Sequence, residues 1–359
     1  MTATRKAWLL LLVLLSAFLL PLSLPNEIFG GAIRLLGLRA DESFYWGNAV
    51  LGLVAIAPVF YAVSVAPSFG FAALLGVVFG GVSTALSNFW LMFFQGFSVW
   101  TYGGVIIGYV GYNALLFPFL RGFSRLGKSS RPLLLAIAWS VYEYFKSVGF
   151  LGYPWGLIAY PVGTVLPLIQ VVDVTGVWGL SFLMAFVNAL VAEIALGGWR
   201  PRVVRQVAFG AVLVAATLVY GTIRLATPIP SAGMASLLLV QQNMDPWNEG
   251  QGLNDSIRVN AELTAAGVGA GGTKPDLVVW SESSVSTVGV TLDRSYYPRK
   301  NPLVPVIQAT GVPILFGGVG IVDMNKQLFW NAAVLASGDG TVQDIYGKIH
   351  RVPFAENIP

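Results

Sequence analysis

The sequence lacks cysteine entirely and contains a single histidine among its 359 residues. A disulfide, a thiolate metal site and a cysteine nucleophile are therefore excluded within these residues. One histidine cannot complete the usual metal clusters, so we expect neither a metal nor a cofactor. Charge is scarce as well, since 11% of the residues are charged, against roughly 25% in an ordinary globular domain. Because 55% are hydrophobic, the composition excludes a disordered or wholly water-soluble chain and predicts an integral membrane protein.

The few charges are unevenly distributed along the chain. Residues 1–230 contain 13 basic and 6 acidic side chains, a net charge of +7, whereas residues 231–359 contain 8 and 11, a net charge of −3. A basic excess in membrane loops is the usual orientation signal. The overall net charge of +4 therefore requires no nucleic-acid partner.

Long apolar runs fill the first part of the chain. A bilayer-spanning helix needs about 20 mostly apolar residues, and this measure predicts a seven-helix transmembrane domain over residues 1–230. The predicted spans are 7–25, 44–66, 70–94, 101–120, 132–150, 165–197 and 206–227.

The short loops predict the orientation of these spans. Lys and Arg accumulate in cytoplasmic loops, and here they cluster before the first span, at 121–131 and at 200–205. Seven alternating passes put all three clusters inside and everything after about Thr227 on the outer face. In a bacterial envelope the chain would then be a multi-pass protein of the inner membrane with its second domain in the periplasm.

Several polar residues lie within or near the spans, and two interpretations are open for them. Ionisable groups in hydrocarbon are costly and suggest function, but such groups also lie at interfaces or bond across helices. The residues are Asn88, Asn113, Glu143, Asp173, Asn188 and Glu193. The aromatic, turn-rich segment 149–156 is equally open, because Trp and Tyr collect at membrane interfaces.

From Met234 the pattern changes to short apolar runs between polar, glycine-containing stretches, which is typical of a water-soluble α/β domain. Residues 234–241, 276–280 and 313–316 are predicted strands, with helices at about 253–266 and 302–310. Residues 329–336 and 341–346 flank SGDG (337–340), which is a hairpin signal. The sequence therefore predicts an α/β domain over residues 231–359.

Two places in this second domain concentrate chemically useful side chains. Glu282 follows the predicted strand 276–280 at its carboxyl end, where α/β folds place their sites. Segment 346–359 packs Lys348, His350, Arg351 and Glu356 among aromatic and proline residues. A partly desolvated Lys beside a Glu is a standard way of holding an oxyanion donor near a general base. Taken singly, Glu282 and Lys348 are also compatible with solvated surface charges, and His350 with a supporting hydrogen-bonding role.

These motifs resemble a known family. PDLVVWSE (275–282), YGK (346–348) and PFAE (353–356) are similar to the Glu and Lys motifs of the nitrilase, or carbon–nitrogen hydrolase, superfamily. Behind seven membrane spans they resemble specifically the apolipoprotein N-acyltransferase family, and the resemblance extends over nearly the whole chain. It includes LIQVVDVTGVWGLSF (168–182), FLGYPWG (150–156), VQQN (240–243) and Trp247.

The resemblance implies a fold and a reaction. The fold is a multi-pass α-helical membrane domain followed by a nitrilase-like αββα sandwich outside the cytoplasm. The reaction transfers an acyl chain from a phospholipid, through a Cys thioester, to the N-terminal amine of a diacylglyceryl-cysteine apolipoprotein. By the same resemblance, Glu282 would be the general base, Lys348 would stabilise the oxyanion, and Glu356 would orient Lys348 and the nucleophile.

The resemblance also implies residues that contact the substrates. Trp247 matches a tryptophan needed for activity, and Tyr153 and Trp155 match residues that line the lipid entrance. The partners implied are a phospholipid acyl donor, a diacylglyceryl apolipoprotein acceptor and the membrane itself, and we expect a monomer.

One part of the family pattern does not occur in these residues. The family has a nucleophilic Cys some tens of residues after the Lys, and a last transmembrane helix after the nitrilase domain. We therefore expect residues 231–359 to be the N-terminal half of an incomplete nitrilase-like domain, and the polypeptide as it stands to be inactive. Two alternatives remain: a membrane-tethered nitrilase-type amidase that uses the same Glu–Lys pair, and a non-catalytic lipid-binding or transport protein.

Overall fold

The computed structural model describes residues 2–25, 47–93, 98–149, 152–230, 232–244, 255–270 and 274–351. The chain divides into two compact units, Met1–Pro228 and Ile229–Pro359. Trp247 and Glu356, both predicted as site residues, lie outside the described residues.

The regular secondary structure of the first unit, in its described part, is entirely helical. Its α-helices are α1 (Ala3–Ser23), α2 (Ala49–Gly52), α3 (Ala57–Val65), α4 (Phe69–Ser87), α5 (Ser98–Leu126), α6 (Arg131–Ser147), α7 (Leu166–Ile169), α8 (Val172–Gly197) and α9 (Pro201–Ala226). Within the described residues, α1, α4, α5, α8 and α9 are long and apolar enough to cross a membrane. The chain is thus a multi-pass membrane protein, as its composition predicts, while the full count of seven spans stays a prediction.

The core of this unit is apolar and strongly aromatic. The ring of Trp139 on α6 meets Phe60 of α3 at 5.8 Å and Phe79 of α4 at 6.0 Å, and Phe79 in turn meets Phe117 of α5 at 5.5 Å. The two contacts of Trp139 are edge-to-face and that of Phe79 with Phe117 is tilted, and such aromatic pairs add to the stabilisation from burial alone. These side chains therefore fix α3, α4, α5 and α6 against one another.

The predicted span 44–66 differs from the structure, because its described part is broken between α2 and α3. Asn188 of α8 bonds the backbone groups that the break exposes: its Oδ1 accepts from the N–H groups of Ile56 and Ala57, and its Nδ2 donates to the Gly52 carbonyl at 2.8 Å. Unpaired backbone groups are costly in an apolar interior. A single asparagine on another helix thus permits a helix break that the apolar run did not reveal.

Glu193 of α8 also bonds across helices. It is 1% exposed and accepts hydrogen bonds from Arg131 of α6 at 2.9 Å and Arg202 of α9 at 2.8 Å. A buried carboxylate requires such partners. For Asn188 and Glu193 the interpretation as cross-helix bonding groups is therefore confirmed.

The second unit has an α/β fold. Its elements in the described residues are β1 (Leu237–Val240), α10 (Asp255–Ala270), β2 (Leu277–Trp280), β3 (Gly289–Thr291), β4 (Tyr296–Tyr297), α11 (Leu303–Thr310), β5 (Ile314–Asp323), β6 (Leu328–Ala336) and β7 (Val342–Gly347). The predicted strands, helices and hairpin are all present. Strands β3 and β4 are too short to give an alternating pattern, and the sequence did not predict them.

The described strands form one mixed sheet. The strands β1, β2 and β5 are parallel neighbours, and β3 pairs with the later part of β5. On its other edge β5 pairs antiparallel with β6, which pairs antiparallel with β7. Because β6 is antiparallel to β5 and β7 is antiparallel to β6, β7 runs parallel to β5 and β2. The carboxyl ends of β2 and β7 therefore lie at the same end of the sheet.

Candidate functional site

Glu282 lies in a tight turn that follows β2. The turn is fixed to β5, because the N–H of Val285 and the hydroxyl of Ser284 both donate to the Gly317 carbonyl, at 2.9 and 3.2 Å. On its other side, the Ser281 hydroxyl donates to Gln242 Oε1 at 2.7 Å. Neighbouring segments on both sides therefore hold the backbone of Glu282 in place.

The turn lies against β5 only because residue 317 is a glycine. A Cβ at Gly317 would lie 2.6 Å from the Cα of Glu282 and 2.7 Å from the backbone nitrogen of Ser283. Ser283 itself has a left-handed backbone with φ of 56°. Such conformations are unfavourable for non-glycine residues and recur at functional sites. The close approach lets Glu282 cross β5 towards β6 and β7.

Three side chains meet on the far side of β5: Glu282 from the turn after β2, Asn331 from β6, and Lys348 from the residue that follows β7. Asn331 Nδ2 on β6 donates to Glu282 Oε1 at 2.7 Å, and Lys348 Nζ donates to the same oxygen at 3.1 Å. The backbone N–H of Lys348 donates to the Asn331 carbonyl at 2.8 Å, which extends the β6–β7 ladder by one bond. The structure thus brings together Glu282 and Lys348, 66 positions apart in sequence.

Asn331 is a site residue that the sequence analysis did not identify. It is a lone amide in the apolar strand sequence LFWNAAVLA of β6. That amide was the only available signal, and an isolated polar residue in a half-buried strand is ordinary. Only the register of β6 beside β5 and β7 shows that this amide reaches Glu282.

The Glu282–Lys348 pair is accessible to a ligand. The side chains are 63% and 31% exposed, respectively. An exposed ion pair stabilises a fold by less than about 1 kcal/mol. The Glu282–Lys348 pair therefore contributes little to the stability of the domain. Among the described residues no donor bonds the second carboxylate oxygen of Glu282, Oε2, which leaves that oxygen available to accept a proton.

The aromatic segment of the first unit forms an ordered loop. Tyr153 is half-buried, and its hydroxyl donates to Asn88 Oδ1 at 2.8 Å. Trp155 is 53% exposed, and its ring lies 5.2 Å from that of Trp90. An exposed indole supported by a second indole is suited to contact with an apolar chain.

The described residues contain no group of three or more His, Asp or Glu side chains that could hold a metal ion. The chemistry that the described site offers is proton transfer by a carboxylate next to an ammonium donor. The two units together define a multi-pass membrane protein that carries an α/β domain with a Glu–Lys site.

Comparisons with known proteins give the family. A model of the apolipoprotein N-acyltransferase N-terminal domain matches residues 37–190. Apolipoprotein N-acyltransferase 2 of Treponema denticola is 33% identical over 97% of this chain and 65% of its own length. The Treponema pallidum protein of the same name is 32% identical over 96% and 64%, and the Borreliella burgdorferi apolipoprotein N-acyltransferase is 30% identical over 96% and 64%.

The chain belongs to the apolipoprotein N-acyltransferase family. It spans about 65% of the length of the first of these relatives. This result agrees with the family resemblance of the sequence motifs.

Proposed function

We propose that the protein transfers an acyl chain from a membrane phospholipid to the N-terminal amine of a diacylglyceryl-cysteine apolipoprotein. The reaction would pass through a Cys thioester. The observation that supports this most strongly is the pairing of Glu282 with Lys348 at one sheet edge, in a chain of this family. The 359 residues contain no cysteine. The proposal is therefore that this chain supplies the base and the oxyanion donor, and that the thiol comes from a cysteine outside these residues.

Glu282 is the general base in this proposal. A thiol near neutral pH is only slightly ionised and requires an adjacent base. Glu282 takes the thiol proton, the thiolate attacks the ester carbonyl of the phospholipid, and the lysophospholipid oxygen leaves with that proton. The acceptor amine then attacks the thioester and gives a proton to Glu282, which returns it to the departing thiolate.

Lys348 is the oxyanion donor. Each of the two steps passes through a tetrahedral intermediate with a negative oxygen, and one well-placed donor lowers such a barrier by about 3 kcal/mol. Lys348 is held beside Glu282 by its backbone bond to Asn331 as well as by its ammonium group. Glu356 would orient Lys348 and the nucleophile, as the family resemblance suggests.

The substrates in this proposal are anchored in the membrane. Tyr153 and Trp155 contact the acyl chain, and Trp247 contributes to substrate binding. The protein would be a monomer of the bacterial inner membrane, with seven spans and with the α/β domain on the periplasmic face. The basic clusters at 121–131 and 200–205 support this orientation.

The first test reads the gene past the codon for Pro359. We expect the frame to continue into a Cys codon at a strand-to-helix turn, and a stop codon directly after Pro359 would exclude the thioester route. The complete reading frame is then assayed in lipid nanodiscs with a phospholipid labelled in its first acyl chain and a synthetic diacylglyceryl-cysteine peptide.

We expect labelled amide on the peptide and one lysophospholipid for each acyl group transferred. Glu282→Gln should lower the rate by about 10²- to 10⁴-fold, and Lys348→Met by about 10²- to 10³-fold. Glu262→Gln, which changes a carboxylate 64% exposed on α10 in the same unit, serves as the control. Ammonia released from a small amide without lysophospholipid would instead indicate an amidase, and neither product would indicate a non-catalytic protein.

A further inference from the structure

Helix α6 carries two charged side chains inside the membrane unit. Glu143 is 1% exposed and Lys146 is 5% exposed, and they lie one helical turn apart. Charged groups buried in a membrane protein are costly and persist only where polar partners compensate them. The partners of these two residues therefore indicate what the charges are for.

Lys146 bonds the backbone of the aromatic loop, which we define as residues 152–158. Its Nζ donates to the carbonyl of Trp155 at 3.0 Å and to that of Gly156 at 3.5 Å. The same ammonium lies 5.3 Å from the ring centre of Tyr109 and 5.7 Å from that of Tyr142. Two carbonyls and two aromatic rings thus compensate the buried charge, and the carbonyls belong to the aromatic loop.

Both ends of the aromatic loop are bound to the same turn of α6. The N–H of Tyr153 donates to the backbone carbonyl of Lys146 at 2.8 Å, and the N–H of Ile158 donates to Glu143 Oε1 at 2.8 Å. Trp139 Nε1 donates to that same carboxylate oxygen at 3.0 Å and so holds it in position. The loop is therefore tied to α6 at its first residues, its middle and its end.

The local backbone of the loop agrees with this arrangement. Gly156 has φ of +69°, a left-handed conformation that glycine adopts without strain. The hydroxyl of Tyr109 donates to the Tyr153 carbonyl at 2.9 Å, which adds a further bond from the bundle interior. The carbonyls of the loop are therefore bonded within the bundle, while the indole of Trp155 stays 53% exposed.

We propose that Lys146 is a positioning residue that fixes the aromatic loop from inside the bundle, so that Tyr153 and Trp155 present an ordered surface to an acyl chain. The role in acyl-chain contact rests on the proposed function. The positioning itself rests on the hydrogen bonds of Lys146, and the two can be tested separately.

The test of positioning uses the absence of cysteine from these 359 residues. A single spin label is attached to the 359-residue chain through Pro154→Cys, which lies at an exposed position of the loop. A second preparation carries the label through Gly70→Cys, at an exposed position in α4 with no neighbouring atom near its Cβ. Electron paramagnetic resonance spectra in lipid nanodiscs then report the mobility of each site.

We expect Lys146→Met to raise the mobile fraction of the Pro154→Cys label about tenfold, because hydrogen bonds from a charged donor are among the strong ones. The label at Gly70→Cys should be unchanged. Tyr109→Phe, which removes only the hydroxyl bond to Tyr153, should produce a smaller rise. Lys128→Met removes an exposed charge from the same unit and should change neither label.

A Pro154→Cys label that stays immobile in Lys146→Met would overturn the proposal, whatever the result for Tyr109→Phe. Equal mobilisation of both label sites by Lys146→Met would also overturn it, since Lys146 would then stabilise the whole unit rather than the loop. In the complete enzyme, Lys146→Met should raise KM for the phospholipid about tenfold and leave kcat nearly unchanged. A mobilised loop with an unchanged KM would retain the positioning role and refute the acyl-chain contact of the proposed function.

Discussion

The substitution Gly317→Ala tests whether the turn of Glu282 depends on one missing methyl group. The added Cβ would lie 2.6 Å from the Cα of Glu282, 2.7 Å from the backbone nitrogen of Ser283 and 2.8 Å from the carbonyl oxygen of Ser281. All three are backbone atoms, so no side-chain rotation relieves the contact. To reach ordinary contact at 3.4 Å, β5 and the turn must separate by about 0.8 Å, which is 3.4 minus 2.6.

The separation has two measurable consequences. Overpacking of this kind costs about 1–3 kcal/mol of stability. Alanine also lowers the conformational entropy of the unfolded chain, which offsets about 0.4–1 kcal/mol of that cost. We expect a net loss of about 1–2 kcal/mol in the free energy of unfolding. The activity should fall further, because a 1 Å misplacement of a reacting group costs about 100-fold in rate.

The assay compares Gly317→Ala with Gly269→Ala. Gly269 lies in α10 of the same unit, and a Cβ there meets nothing within 4 Å. The control should keep the acyl-transfer rate and gain about 0.5–1 kcal/mol from its better helix propensity. Thermal unfolding and the labelled-phospholipid assay are run on both variants. If Gly317→Ala matches the control in both measurements, the reasoning about the Glu282 turn is refuted.

Hydrogen bonds of Asn331, Glu193 and Asp339 also have measurable consequences. Asn331→Leu should lower the acyl-transfer rate about tenfold, since Glu282 loses its 2.7 Å donor; an unchanged rate would contradict this. Glu193→Ala leaves two half-buried arginines without their buried carboxylate and should lower the unfolding free energy by about 1–3 kcal/mol, whereas Glu262→Ala at an exposed pair should change it little; equal effects in thermal unfolding would refute the burial argument. Hydrogen bonds from Ser337, and then from the N–H of Thr341, hold the pKa of Asp339 below its usual 3.8. The β6–β7 turn should therefore be stable above pH 3.8 and lose stability as the pH falls through the lower pKa of the folded state. Hydrogen exchange of the backbone amides in the turn measures this loss of stability. In Asp339→Asn, which has no carboxylate to protonate, the exchange should not show the acid dependence.

The sequence by itself determined the two-part organisation and the position of Glu282. Charge scarcity and apolar runs require a membrane environment, whatever the packing of the helices. The strand before Glu282 follows from a short apolar run, and the hairpin follows from the turn residues SGDG (337–340). Parallel strands share a carboxyl edge, so a residue directly after β2 had to lie at one end of the sheet.

Only the tertiary structure decided which side chains meet. Whether Lys348 reaches Glu282 depends on two successive antiparallel pairings. A one-residue slip between β5 and β6 would turn Asn331 to the other face, and a slip between β6 and β7 would displace Lys348. The break between α2 and α3 depends on Asn188, which is 131 positions from Ala57 in sequence. Lys146 lies within the predicted span 132–150, and its carbonyl partners Trp155 and Gly156 are set by the packing of the aromatic loop on α6. Patterns along the chain report local preferences, whereas these contacts arise from packing between distant segments, where hydrogen-bond partners are selected by geometry.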